Sequence, residues 1–272
     1  VQPLIPFVRW VGGKRWLASR LVEEIAASGA TLYVEPFLGG GAVALAVPMT
    51  KQVLADTNRA LVNTWRMLAA YPQATAEAAQ IMLAQYAAGR HVDGRDAYEA
   101  VRYDFNSRPP FGINAAAQFL YLNATCFNGL WRTNATGYFN VPHGDVANPN
   151  VIDVAEAVAL AERLGDADIH HDDFRVTVGI AGEGAAVFAD PPYDAGFTNY
   201  EAAGFAVEHQ RALAEELRAA CKRGARVWAT NADTPLVREL YAWAKLEEVV
   251  EPRRVAAAAD APKGAPCLLI RG

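Results

Sequence analysis

Apolar positions along this chain recur with two periods, and the places where the period changes divide it. In "RWLASRLVEEIAASG" they return every three or four residues and stop at Gly29, which predicts a helix. "TLYVEPF" and "QVLAD" are short apolar runs that predict strands, and "TNRALVNTWRMLAAYP" predicts a second helix, so the chain opens as a βαβ unit. From about residue 71 to about residue 165 the pattern changes to Ala-rich and aromatic helices separated by Asn-rich loops, "RPPFGIN" and "CFNGLWRTNATGYFNVPHG" among them. Alternation then returns with the strand "AAVFAD", the helix "EHQRALAEELRAACKRG", the strand "ARVWATN" and two last strands around "EEVVEPRRV" and "PCLLIRG". There is no internal repeat, and the low-complexity "AAAADAPKGAP" is expected to form a hairpin connection. The expected fold is α/β: a doubly wound, mostly parallel sheet formed by residues 1–70 and 166–272, with a mainly helical domain inserted at 71–165. In such a sheet the ligand sits at the carboxyl ends of the strands.

Composition narrows the class without naming a chemistry. The 272 residues are 52% hydrophobic and 20% charged, which is enough to bury a large core. "VQPLIPFVRW" has no charged region ahead of a long apolar run, and no later stretch is long enough to span a bilayer, so a cytoplasmic protein with no membrane partner is expected. Cys126, Cys221 and Cys267 are odd in number and scattered, as reduced thiols are. No metal site is expected, because the adjacent residues of "HHDD" point in different directions and no partner cluster accompanies them. A formal charge of −5 argues against a wholesale basic surface, yet a local groove of arginines can bind phosphate within an acidic chain.

Candidate chemistry falls at strand ends. "VEPFLGGGAVALA" places Gly39, Gly40 and Gly41 between a short strand and an apolar run that predicts a helix, where backbone can approach a ligand closely. Asp56 ends the next strand 17 residues after Gly39, near the spacing at which an acidic group meets ribose hydroxyls. An adenosine-containing cofactor fits both. The run is not GxGxxG, and "WVGGK" lacks the spacing of a phosphate-binding P-loop, so NAD and ATP lose ground. "FADPPY" ends a core strand in a stiff turn, since Pro191 and Pro192 fix φ and remove backbone donors. A polar loop cap is one reading of it. The other is an acceptor site for a conjugated exocyclic amine: Asp190 and the Pro191 carbonyl take its N–H bonds, and Tyr193 stacks on the base.

These motifs, in this order, resemble the Dam-like family of S-adenosylmethionine-dependent DNA adenine N6-methyltransferases over nearly the whole chain. "PFVRWVGGKRW" resembles the family's N-terminal motif, "VEPFLGGGAV" its cofactor loop, "ADTNRALVN" its acidic motif, "FNGLWRTN…GYFNVPHG" its DNA-recognition segment and "DPPY" its catalytic motif. The resemblance implies a Rossmann-like methyltransferase core and an inserted target-recognition domain. It also implies catalytic residues Asp190, Pro191, Pro192 and Tyr193, and a methyl-donor site drawn from Trp10, Lys14, Phe37, Gly39, Gly41, Asp56, Asp173 and Asp190. From the residues alone Trp10 reads as core, Lys14 as a solvated helix start and Asp173 as a turn former. Arg9, Asn128, Leu130, Arg132, Asn140 and Pro142 match positions that approach double-stranded DNA, where a surface loop is the plainer reading. The implied reaction passes a methyl group from S-adenosylmethionine to adenine N6 of a flipped base, leaving S-adenosylhomocysteine, and "FNGLWR" resembles relatives that act at GATC. A monomer is expected. Two other readings remain: a non-catalytic DNA-binding relative, and a methyltransferase acting on a protein or small-molecule amine. Whether a restriction endonuclease partners the chain is not legible.

Overall fold

The computed structural model describes residues 6–89, 94–193, 205–252 and 264–272, so the connection expected at "AAAADAPKGAP" lies largely outside the described residues. In chain order the elements are α1 (Arg15–Ala27), β1 (Leu32–Glu35), β2 (Gln52–Ala55), α2 (Arg59–Ala70), α3 (Pro72–Gly89), α4 (Gly94–Ser107), α5 (Gly112–Thr125) and a 3-10 turn at Phe127–Gly129. There follow α6 (Val154–Leu164), β3 (Asp168–His170), α7 (Phe174–Gly179), β4 (Ala185–Ala189), α8 (Val207–Lys222), β5 (Arg226–Ala232), α9 (Pro235–Leu240), β6 (Lys245–Pro252) and β7 (Gly264–Arg271). They fall into two compact units: Val1–Lys14, Gly39–Ala46 and Asp56–His171 make the first, and Arg15–Leu38, Val47–Ala55 and Asp172–Gly272 the second.

The second unit is α/β. Its strands run in the order β2-β1-β4-β5-β7-β6. β1 pairs in parallel with β2 and β4, and β4 with β5, whereas β7 lies antiparallel to both β5 and β6. All five residues of β4 are buried, which is why "AAVFA" is an unbroken apolar run rather than an alternating one. α1 buries Leu17, Ala18, Leu21 and Ile25, one helical face, and Gly29 follows its end at φ +72°. α8 likewise buries Gln210, Leu213, Ala214, Leu217 and Ala220. Leu213 and Leu217 join Val34, Val187, Val227, Leu268 and Ile270 in the core, where each large aliphatic contributes about 1.5–3 kcal/mol. β1 connects onward to β2 on one side, while β4 takes the other side. The strand order therefore reverses between β1 and β4, the position at which such sheets hold ligands.

The first unit is mainly helical. α5, "GINAAAQFLYLNAT", is buried on every side from Ala115 to Thr125, and its small residues let α2 and α3 pack close against it. Asn58 caps α2 by accepting from Leu61 N, and Asp153 with Glu156 forms a capping box on α6. The helix expected after the glycine run does not form: residues 42–46 make consecutive turns, with one helical bond from Leu45 N to Gly41 O. Pro48 follows too closely for a second turn to propagate. The Leu45 and Ala44 carbonyls this leaves open accept instead from the Arg163 guanidinium at 3.0 and 3.2 Å. Burial lowers the pKa of Arg163.

Candidate active site

The catalytic candidates lie together in the second unit, beyond the carboxyl end of β4. Pro191 is buried, Asp190 and Tyr193 are half-buried and Pro192 is exposed. Thr230, fully buried on β5, donates to Asp190 Oδ1 at 2.5 Å, so one carboxylate oxygen is oriented by the neighbouring strand. Burial, followed by the charge of Asp190, pushes the Tyr193 phenol well above its ordinary pKa, against an opposing bond with Thr230. Tyr193 is therefore a neutral phenol at physiological pH. Behind the turn, Gln210 of α8 donates to the Pro192 carbonyl at 2.9 Å and accepts from Asn231 Nδ2 at 2.9 Å.

The carboxyl end of β1 brings a second set. Buried Glu35 accepts from the Tyr33 hydroxyl at 2.7 Å, and burial, then the Glu35 charge, raises the Tyr33 pKa. Phe37 stacks on Phe174 with ring centroids 5.7 Å apart, and Phe205 meets Phe37 edge-on at 5.7 Å, forming an aromatic cluster against the core. Asp173 caps α7: its carboxylate accepts from Arg175 N at 2.9 Å and pairs with the exposed Arg175 guanidinium, as a turn former does.

The remaining cofactor candidates belong to the first unit. A Cβ on Gly39 would lie 2.8 Å from the Trp10 indole and one on Gly40 3.2 Å from Trp10 Cβ, so these two glycines make room for a tryptophan. Gly39 adopts φ +48° and Gly41 +66°. Gly39 N donates to Asp56 Oδ2 at 2.9 Å, Asn58 N to Asp56 Oδ1 at 2.8 Å, and Trp65 Nε1 to the Gly39 carbonyl at 3.0 Å. Burial raises the Asp56 pKa, opposed by those backbone N–H groups. Each Asp56 oxygen accepts one of these bonds and keeps further acceptor capacity. Lys14 is buried, with Nζ 2.5 Å from the Gly12 carbonyl, rather than solvated.

The recognition candidates also lie in the first unit. Asn123, buried in α5, accepts from Arg9 N at 2.9 Å and donates to Arg9 O at 3.0 Å and Gly129 O at 3.1 Å. Asn123 and Arg9 are 114 residues apart in the chain. Asn128 sits at φ +55°, and a Cβ on Gly129 would lie 2.5 Å from Arg9 Cδ. Phe127 N donates to Pro142 O at 2.9 Å, Leu130 is half-buried, and Arg132 Nε donates to Asn140 Oδ1 at 2.9 Å. Asn106 grips Phe139 N and O from α4, and Trp131 stacks on Phe139 at 4.3 Å. Asn123, Asn106, Thr230, Gln210 and Asn231 were not foreseen as site residues. A polar residue on an otherwise apolar helical face is the signal that marks Gln210.

A mostly parallel sheet whose strand order reverses between β1 and β4, with an Asp-Pro-Pro-Tyr turn at the end of β4, is the architecture of a nucleotide-dependent amino-methyltransferase. The chain belongs to the D12 class of N6 adenine-specific DNA methyltransferases, whose family model matches residues 10–255. It is 34% identical over 254 residues to the DNA adenine methylase of Escherichia coli K12, covering 91% of this chain and 87% of that one. It is 29% identical over 274 residues to the type II methyltransferase M.MjaIII of Methanocaldococcus jannaschii, covering 95% of each. It is also 35% identical over 250 residues to the DNA N-6-adenine-methyltransferase of Escherichia phage P1, where the match covers 89% of this chain and 32% of the phage protein. Among the described residues no helix is long and apolar enough to cross a membrane, and no cluster of potential metal ligands occurs.

Proposed function

We propose that the chain methylates adenine N6 in double-stranded DNA, taking S-adenosylmethionine as methyl donor and receiving the target base flipped out of the helix. The observation that carries this is the Asp190–Tyr193 turn, held by Thr230 and Gln210 at the end of β4. Asp190 and the Pro191 carbonyl accept from the exocyclic amine and direct its lone pair, and Tyr193 supplies the stacking face for the base. Thr230 orients the Asp190 carboxylate, which accepts from the amine N–H as the nitrogen turns tetrahedral. The neutral Tyr193 phenol stacks without adding charge beside the carboxylate.

The donor supplies an electrophilic methyl group on a sulfonium. The carboxylate of Asp56 has acceptor capacity that suits ribose hydroxyls, and half-buried Phe37 supplies an aromatic side chain of the kind that meets an adenine. Trp10, Lys14, Gly39, Gly41 and Asp173 complete the assignment. Residues 71–165 act as target-recognition insert, and Arg9, Asn128, Leu130, Arg132, Asn140 and Pro142 meet the DNA, with GATC the leading site because "FNGLWR" resembles relatives that act there. Titration calorimetry with the free protein tests the donor. S-adenosylmethionine binds the parent chain and Asp56→Ala weakens it; NAD binding in its place contradicts the reading. Sequencing that maps N6-methyladenine on DNA from cells expressing the chain tests the site.

A further inference from the structure

Between Asp190 and the nitrogen of Tyr193, nearly every backbone torsion is fixed by the sequence. The rings set φ at Pro191 and Pro192. Asp190 and Pro191 each precede a proline, which drives ψ to the extended range. The soft torsion that remains is ψ of Pro192, which sets the plane of the Pro192–Tyr193 peptide. The oxygen of that peptide accepts from Gln210 Nε2 at 2.9 Å. Gln210 is 2% exposed, so the donor side of this bond is sheltered from water.

The orientation of the Gln210 amide is itself determined. Ala232 N–H, a donor by chemistry, gives its hydrogen to Asn231 Oδ1 at 2.8 Å. Asn231 must therefore turn Nδ2 outward, and it donates to Gln210 Oε1 at 2.9 Å. That leaves Gln210 Nε2 to meet the Pro192 carbonyl, an acceptor by chemistry. Both ends of the chain are backbone groups of fixed polarity, so flipping either amide would set like against like at two contacts.

We propose that Gln210, oriented by Asn231, is a positioning residue for methyl transfer: it locks the last free torsion of the Asp-Pro-Pro-Tyr turn and so fixes Tyr193 relative to Asp190. This rests on the catalytic reading of the turn given above. Gln210 touches neither substrate nor donor in this account; it acts through the Pro192 peptide.

Gln210→Met keeps the side-chain length and removes both amide functions, and Gln210→Glu retains the acceptor but donates only when its carboxyl is protonated. Two readouts apply to the full chain: single-turnover methyl transfer at saturating S-adenosylmethionine and duplex DNA, with each affinity measured separately, and the NMR resonance of the Tyr193 amide in the free protein. In Gln210→Met, transfer is expected to slow on the order of 10²-fold, the scale of a small misplacement of reacting groups. Both affinities should stay near parent values, and the Tyr193 resonance should broaden or split as ψ of Pro192 samples more than one well. For Gln210→Glu the ratio of variant to parent rate should rise as pH is lowered, because only the protonated carboxyl donates to the Pro192 carbonyl. A sharp parent-like Tyr193 resonance in Gln210→Met, or a parent-like transfer rate in it, overturns the proposal. If the parent chain itself transfers no methyl to adenine, the catalytic reading falls with it, and the Tyr193 resonance alone still decides whether Gln210 locks the turn.

Discussion

The turn proposed to be catalytic and the loops proposed to read DNA are held by opposite strategies. At Asp190–Tyr193 the side chains assigned to the chemistry are themselves fixed: Thr230 holds the carboxylate, and two prolines with Gln210 hold the peptide that leads to the tyrosine. In the segments assigned to recognition the backbone is gripped by side-chain amides, while several side chains of residues 127–143 stay exposed. Asn123 pairs with both backbone groups of Arg9, Asn106 with both of Phe139, and Asn63 with both of Gly112, each amide standing in for a peptide of a neighbouring strand. Asn128, Arg132, Tyr138 and Pro142 remain exposed. Chemistry on one atom demands a single arrangement of its ligands, whereas reading base edges demands a fixed platform whose side chains can be exchanged.

Breaking the first strategy has the largest expected effect. Asp190→Ala removes the acceptor that holds the amine, and single-turnover transfer should fall by roughly 10²–10⁴-fold while DNA binding, followed by filter retention or anisotropy, persists. Retention of full activity would move the chemistry elsewhere. Breaking the platform comes next. Asn123→Leu strips partners from Arg9 N, Arg9 O and Gly129 O, and orphaning the buried Gly129 carbonyl alone costs about 1–3 kcal/mol. Thermal unfolding should show the loss, and discrimination between the preferred duplex and a one-base variant should collapse because Arg9 and the 127–132 segment lose their common anchor.

Changing a side chain on an intact platform is milder. Arg132→Ala should cost about 1–3 kcal/mol of discrimination at one base pair and leave the salt dependence of binding almost unchanged. A salt slope reduced by about one ion with an unchanged site would make Arg132 a phosphate ligand instead. Tyr193→Phe keeps the stacking face and should be nearly silent, whereas Tyr193→Ala should lose about 1–3 kcal/mol of base contact. A 2-aminopurine at the target position reports this as reduced brightening on binding.

The smallest effect concerns the frame of the second unit. Arg271 bonds Glu24, which also accepts from Trp228, and Arg20 bonds Glu247. These bonds hold the Glu24 carboxyl, through Arg271 first, and the Glu247 carboxyl, through Arg20 first, at about 2, below the ordinary 4.5. A depressed carboxylate contributes stability that is present above its unfolded pKa and is lost as pH falls through the folded one. The melting temperature should therefore decline from about pH 4.5 toward pH 2, and Arg271→Met should flatten that decline. A parent-like acid limb in Arg271→Met would remove the network from the account.

Much of this was legible in the sequence because it is local. The continuous run "AAVFA" marked a strand buried on both faces, and the pair of prolines after Asp190 marked its end. The turn at 42–46 was misread as a helix, since five apolar residues look the same in either form until Pro48 limits their propagation. Glycines 39 and 40 were legible as positions of close approach, yet what approaches them in this structure is Trp10, about 30 residues earlier in the chain. The amide clamps were not legible at all. Asn123 and Arg9 are 114 residues apart, and no period in the sequence records that an asparagine on one helix will pair with the backbone of a distant loop.

The central claim is that this chain places a methyl group on adenine N6 in duplex DNA at the Asp190–Tyr193 turn. Mass spectrometry of nucleosides from a duplex incubated with the protein and isotopically labelled S-adenosylmethionine tests it most directly. The account predicts labelled N6-methyldeoxyadenosine with the parent chain and essentially none with Asp190→Ala. Label on cytosine, label on protein with none on DNA, or undiminished N6-methyldeoxyadenosine from Asp190→Ala would contradict it.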